Sequence, residues 1–336
     1  MLLPTRMRAA YVTEHGPAEA IAVGELPVPA VGPADVLVAI QVVAVNPVDT
    51  FIRSGRYATP VPFPFIIGRD LAGQVVSVGA GVSSFAPGDR VWCDSLGHEG
   101  RQGSFAEFAA VPADRLYRIP DGVTPEVAVA VAHPAATAYL AWFAHGLLRL
   151  GETVYVGGAA GNVGTAAVTL ARAAGARVLA SARPTDFQRC RAAGADEVAD
   201  YADPGLAAVL ARQAPSGVDI FWDTSGRQDL SLAATVLRPG GRLLVTAGLG
   251  GQTSVPAGAL YTKDISVLGF VISRADPGQL ARAAALINQL TATGLLIPRM
   301  AGELPLSAAA QVHARMEAGD ISGRLLLRPE PAAGAN

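Results

Sequence analysis

The stretch TVYVGGAAGNVG, residues 153–164, restricts the possible folds of this chain more than any other. β-Favouring residues run into Gly157, Gly158, Gly161 and Gly164, and an alanine-rich run with helical texture follows as far as Ala174. Gly158, Gly161 and Gly164 stand at i, i+3 and i+6. Between a strand and a helix, such glycines allow a tight turn and the close approach of a diphosphate to bare backbone N–H groups. The positive end of the helix, opening at Asn162 and Val163, then faces that anion. The spacing is G-x-x-G-x-x-G, not the commoner G-x-G-x-x-G, and glycines serve ordinary turns as well. The surroundings decide the reading.

Those surroundings repeat one unit. RVLASA, EVADY, VDIFWDTS, GRLLVTAG and ISVLGFVI follow as further apolar strands with helical segments between them. Six strands alternating with helices predict an α/β fold with a doubly wound parallel sheet. Ahead of them, RAAYVTEHG, DVLVAIQVVAVNP, LAGQVVSVGAG, DRVWCDS and GSFAEFAAVP are short runs closely punctuated by glycine and proline, which suits a compact, mostly antiparallel β unit. Residues from Thr124 read as a helix interrupted at Pro134. GRLLLRP near the end reads as a strand, placed so far from the β-rich front that the C-terminus is expected to return to the first domain. The expected division is 1–125 with 273–336, and 126–272. The tail PAAGAN is expected to be mobile.

Composition narrows the function. Of 336 residues, 51% are hydrophobic and 16% charged, enough for large cores. A net charge of −2 without a basic cluster argues against nucleic acid or an anionic membrane as partner. Lys263 is the only lysine. Cys93 and Cys190 lie far apart without metal-ligand spacing, so neither a disulfide framework nor a structural zinc site is expected. No sequence run reads as a membrane span or signal peptide, which makes the cytoplasm the default compartment.

The second strand carries the next clue. Units that prefer NAD place an Asp or Glu near its end to accept hydrogen bonds from the ribose 2′-hydroxyl. Here the strand ends on Ser181, Ala182 and Arg183. A hydroxyl and a guanidinium suit a phosphate, since arginine grips its oxygens in bidentate fashion and no carboxylate repels it. Ser181 and Arg183 therefore favour NADPH, the alternative being that Arg183 is a solvated turn residue. Tyr201, ending the third strand, is placed to flank the adenine or merely to pack.

With AVNPVDTFIRSGRY, GRDLAGQVVSVGAGVSSFAPGDRV, GSFAEFAAVP, GGAAGNVGTAAVTLARAAGA, GVDIFWDTSG, LRPGGRLLVTAG and MEAGDISGRLLL in order, the chain resembles the zinc-independent medium-chain dehydrogenase/reductases. It is most similar to the quinone oxidoreductases related to zeta-crystallin. The resemblance implies a GroES-like β domain joined to a Rossmann domain, with substrate between them. It implies that Asn46 and Thr137 lie near the nicotinamide, that Thr224, Ala247, Gly248 and Leu249 line it, and that Phe270 and Val271 close its pocket. Gly323-Arg324 resembles a C-terminal Gly-Lys pair that helps hold the cofactor. Zinc-dependent relatives carry Gly-His-Glu where this chain has Gly68-Arg69-Asp70, so no metal is expected. GHEG around His98-Glu99 lacks a second histidine at helical spacing and reads as a decoy. Phe51 stands where similar quinone reductases often place a tyrosine, so substrate contacts there are expected to differ.

The chemistry follows from the implied cofactor. Hydride needs an electron-poor acceptor, a quinone or an α,β-unsaturated carbonyl, and the reduced product needs a proton. Tyr57, in IRSGRY, is the candidate donor: a tyrosine at the matching place protonates substrate in the similar 2-enoyl thioester reductases. A packing role at the rim is the alternative. Phe51, Tyr57 and Leu249 are the expected substrate contacts, with Asn46 and Tyr57 the catalytic pair. The leading expectation is an NADPH-dependent quinone reductase. A reductase of the C=C bond of enones or 2-enoyl thioesters and a non-catalytic NADPH sensor stand beside it. The sixth strand, apolar and at the sheet edge, predicts a homodimer.

Overall fold

Closely spaced glycines and prolines break the front of the chain into short strands that can only fold back on one another. The computed structural model describes residues 3–227 and 229–330, so the tail PAAGAN lies outside the described residues. The front strands are β1 (Arg6–Val12), β2 (Ala22–Pro27), β3 (Asp35–Ala44), β4 (Phe65–Ile66), β5 (Asp70–Val78), β6 (Arg90–Cys93), β7 (Phe108–Pro112) and β8 (Tyr117–Arg118), with helix α1 (Pro47–Arg53) between β3 and β4. Their pairings with one another are antiparallel. Val38, Val43, Ile67, Leu71, Val91, Phe105 and Val111 are buried in the core of this unit.

Helix α2 (Pro125–Tyr139) follows, and it does not stop at Pro134. The proline sits inside the helix, and a π-helical turn, Leu140–His145, continues it. A proline removes one N–H bond and strains one turn; burial of Val129, Ala132, Ala135, Ala136, Ala138, Leu140 and Trp142 holds the segment together. Pro125–His145 is therefore long and apolar enough to match a membrane span by length and composition, contrary to the sequence expectation, although 72% of its apolar window is buried inside the protein.

The parallel sheet comes next: β9 (Thr153–Gly157), β10 (Arg177–Ala182), β11 (Glu197–Asp200), β12 (Val218–Asp223), β13 (Leu237–Val245) and β14 (Ser266–Gly269). Helices α3 (Asn162–Ala173), α4 (Phe187–Ala192), α5 (Leu206–Gln213), α6 (Leu230–Val236) and α7 (Ala257–Tyr261) connect them. The spatial order β11-β10-β9-β12-β13-β14 is the doubly wound order, and every neighbouring pair is parallel. Tyr155, Leu179, Phe221 and Leu243 share one buried cluster with α5 and α6. Trp142 and Trp222 meet edge to face at 5.1 Å, each with its indole N–H satisfied, by Ala167 O and Thr246 Oγ1.

The remainder, α8 (Pro277–Ala292), β15 (Met300–Pro305), α9 (Ala309–Glu317) and β16 (Arg324–Arg328), goes back to the front. β16 pairs antiparallel with β3 and parallel with β15, completing the sheet order β15-β16-β3-β5-β6-β8 with β7 also on β3. Two compact units result: Met1–His133 with Leu280–Asn336, and Pro134–Gln279.

Candidate active site

In the parallel unit the site begins at the end of β9. Gly158 takes φ +67°, a conformation open to glycine, and a Cβ there would meet Thr224 Oγ1 at 3.0 Å. At Gly164 a Cβ would lie 2.2 Å from Gly158 O, so the helix can approach the turn only because that position is bare. The turn is held by Gly161 N–H to Gly158 O at 3.0 Å and Ala159 N–H to Ser181 O at 3.0 Å. Thr224 adds its own N–H and hydroxyl on Gly157 O, at 3.0 and 2.8 Å. Gly161 is the N-cap of α3, so Asn162, Val163 and Gly164 form its first turn. A cradle that any Cβ would fill, at the positive end of a twelve-residue helix, fits a diphosphate.

Ser181 departs from expectation. Its hydroxyl is 1% exposed and shares a 2.7 Å hydrogen bond with Tyr155 Oη. Side chains alternate along a strand, and Ser181 falls on the face of Leu179, which packs into the core beside Tyr155. Burial also pushes the Tyr155 phenol up to about 12, so it stays protonated. The hydroxyl is spent inside the sheet, and only the Ser181 carbonyl serves the turn. Arg183 behaves differently: it is exposed and donates from Nε to Tyr201 Oη at 3.2 Å. Arg227, which the sequence reading passed over in an ordinary-looking loop, holds its guanidinium 5.5 Å from the centre of the Tyr201 ring.

Apart from Thr137, the expected nicotinamide residues of this unit follow strand ends. Thr137 is in α2 and 9% exposed. Ala247, Gly248 and Leu249 follow β13, with Leu249 43% exposed. Gly248 and Gly226 press backbone on backbone, a Cβ on Gly248 reaching within 2.8 Å of Gly226 O. Phe270 and Val271 follow β14, and His145 stacks on Phe270 at 4.4 Å and 10°.

The antiparallel unit carries the rest. Asn46 is the N-cap of α1 and 1% exposed. Its backbone N–H donates to Asp49 Oδ2 and its Nδ2 to Asp70 Oδ2, each at 2.8 Å, while its Oδ1 accepts from Arg324 Nη1 at 2.9 Å. Arg324 also reaches Val45 O at 3.3 Å and Asp70 Oδ2 at 3.2 Å. It is 3% exposed. The charge that the resemblance assigned to the cofactor is thus neutralised within the unit, where it fixes the Asn46 amide. The Asn46 Nδ2 also donates to Ala44 O at 3.5 Å, and the capping box brings the Asp49 N–H to the same side chain. Around this network, burial pushes the carboxyls of Asp49 and Asp94 up to about 7, with the charge of Asp70 adding to it.

Tyr57 is half-buried, its ring 5.9 Å from that of His98. Burial, and then the charge of Arg69, pull His98 down to about 4, so it is neutral at neutral pH. Phe51 lies under the guanidinium of Arg56 at 5.0 Å. Arg69, at the position where zinc-dependent proteins similar to this one have histidine, is buried and cannot ligate a cation. Among the described residues no three of His, Cys, Asp and Glu converge as a metal site. A metal does not fit here.

A parallel doubly wound sheet with a glycine cradle, in one chain with an antiparallel β unit, defines a GroES-like plus Rossmann-type oxidoreductase that takes a nicotinamide cofactor. Comparison with known proteins agrees with that class. The Alcohol dehydrogenase GroES-like domain family matches residues 32–121 and the Zinc-binding dehydrogenase family residues 162–289. Quinone oxidoreductase of Mus musculus is 33% identical over 314 residues, 91% of this chain and 93% of that one. The solved structure of a mycobacterial quinone oxidoreductase is 28% identical with a TM-score of 0.83, over 96% of this chain and 100% of that chain. A mycobacterial protein complexed with NADPH is 27% identical, also with a TM-score of 0.83, over 96% and 100%. The chain belongs to the quinone oxidoreductase family of medium-chain dehydrogenase/reductases.

Proposed function

We propose that this oxidoreductase transfers hydride from NADPH to a quinone. The observation that carries the cofactor choice is the end of β10: the strand closes on Ser181 and Ala182 rather than on a carboxylate, and Arg183, next in the chain, is exposed and tied to the Tyr201 phenol. The quinone is carried by the relatives, whose printed names give that activity.

Bound nicotinamide supplies the hydride. The chain's own residues do the remainder. The first-turn N–H groups of α3 bind the diphosphate, with Gly158 and Gly164 keeping side chains out of its way. Leu249 gives apolar surface to the acceptor. Asn46, clamped by Asp70 and Arg324, holds its amide in one orientation. Tyr57 Oη supplies the proton that the reduced product takes up, with the neutral His98 ring beside it. We also propose that two copies pair along the exposed edge strand β14.

The test is oxidation of NADPH, followed by absorbance, with a quinone and separately with a crotonyl thioester. Turnover with the quinone supports the reading. Turnover with the thioester alone replaces it with a C=C reductase, and NADPH binding without either turnover replaces it with a sensor.

A further inference from the structure

We infer that Arg227 is a second cation for the 2′-phosphate of NADPH, reaching that phosphate from the far side of the glycine turn; the inference rests on the cofactor reading above. In the order β11-β10-β9-β12, the loop carrying Arg227 follows β12 while Tyr201 follows β11. Three strand spacings separate those ends, about 14 Å. The loop nevertheless leans over the turn, since a Cβ on Gly158 would come within 3.3 Å of Ser225 N. From there the Arg227 guanidinium reaches the face of the Tyr201 ring, whose hydroxyl already accepts from Arg183. Two guanidinia from two different strand ends are therefore held on one phenol.

Asp186, in the loop after β10, attracts Arg183. The other carboxylates at these strand ends are committed to backbone donors: Asp200 to Ala202 N–H, Asp203 to Gly205 N–H, Asp223 to Ser225 N–H and Asp229 to Leu232 N–H, at 2.7 to 2.9 Å. Two like charges side by side repel each other, and a dianion between or beside them removes that cost while gaining charge-assisted hydrogen bonds. A ribose hydroxyl does neither. With the Ser181 hydroxyl turned into the core, the preference for NADPH falls on this arginine pair and the phenol between them.

Titration calorimetry of the full chain with NADPH and with NADH tests this, using Arg227→Gln, Arg183→Gln and, as a control, Ser181→Ala. Arg227→Gln is expected to weaken NADPH about tenfold and NADH less than about twofold, the loss shrinking at high salt. Ser181→Ala is expected to leave the ratio of the two affinities unchanged. An equal loss for both nucleotides would place Arg227 on the shared diphosphate and overturn the inference. An unchanged NADPH affinity in Arg227→Gln, with the unsubstituted chain still preferring NADPH, overturns it alone. Binding of neither nucleotide by the unsubstituted chain overturns the cofactor reading and this inference with it.

Discussion

His313 shows how a single side chain sets the acid limit of a fold. It is fully buried, edge-on to Phe105 at 5.9 Å. Burial, and then the charge of Arg53, pull its pKa from the ordinary 6.5 to about 3. The folded chain therefore binds fewer protons at this ring than the unfolded chain. The stability it contributes is complete above about 6.5 and drains away as pH falls toward about 3. His313→Leu, which cannot take up the proton, is expected to lose less melting temperature between pH 7 and pH 4.5 than the unsubstituted chain does. Parallel curves from thermal unfolding would contradict this. Asp49 and Asp94 work in the opposite sense: raised to about 7, they give stability that is present at low pH and lost as pH rises through neutrality. The comparison with His313→Leu removes their contribution, since both proteins carry them. None of this was readable beforehand, because His313 meets Phe105 only through contacts some two hundred positions apart in the chain. Asn46, Asp70 and Arg324 make the same point: a local motif marks a position, and only long-range pairing says which charge is already spent.

At the scale of elements much more was legible. The six parallel strands, the glycine turn and the C-terminal return of β16 to β3 all follow from local texture, because runs of alternating strand and helix admit few topologies. What local texture misses is which face a residue takes. β10 is buried along nearly its whole length, so its pattern gives no inside and outside, and Ser181 was assigned to the phosphate when its partner was Tyr155. Pro134 was read as a break since the packing that tolerates it is distant in sequence. ISVLGFVI was read as one strand, yet β14 stops at Gly269. The lone lysine is another element-scale finding. Lys263 Nζ donates to Ala234 O at 2.8 Å, Leu237 O at 3.0 Å and Thr235 O at 3.2 Å, closing the C-terminal end of α6 with all three of its protons. Lys263→Met is expected to cost about 1–3 kcal/mol in chemical denaturation, and Lys263→Arg, whose flat fork presents donors differently, to recover only part of it. Full stability in Lys263→Met would remove the cap from the account.

Across the whole molecule the exposed apolar surface is uneven. Val255 (59%), Tyr261 (75%) and Val267 (48%) are exposed near and on β14, the edge of the parallel sheet. An edge strand with an uncovered valine is a template for a second copy. Placing a charge there, Val267→Lys, is expected to shift sedimentation from twice the chain mass toward a single chain of 34.3 kDa. A single-chain species in the unsubstituted protein at micromolar concentration would dismiss the pairing.

The strand that finishes the front sheet is made only after the whole parallel sheet. β3 waits for β16 from residue 44 until residue 324, while β9 to β14 have every partner within one uninterrupted stretch. During synthesis the nucleotide-binding unit is therefore free to fold as it leaves the ribosome. The Val43–Ala44 end of β3 lacks its β16 partner until the whole parallel sheet has been made, so it is there that a nascent chain is most open to wrong partners.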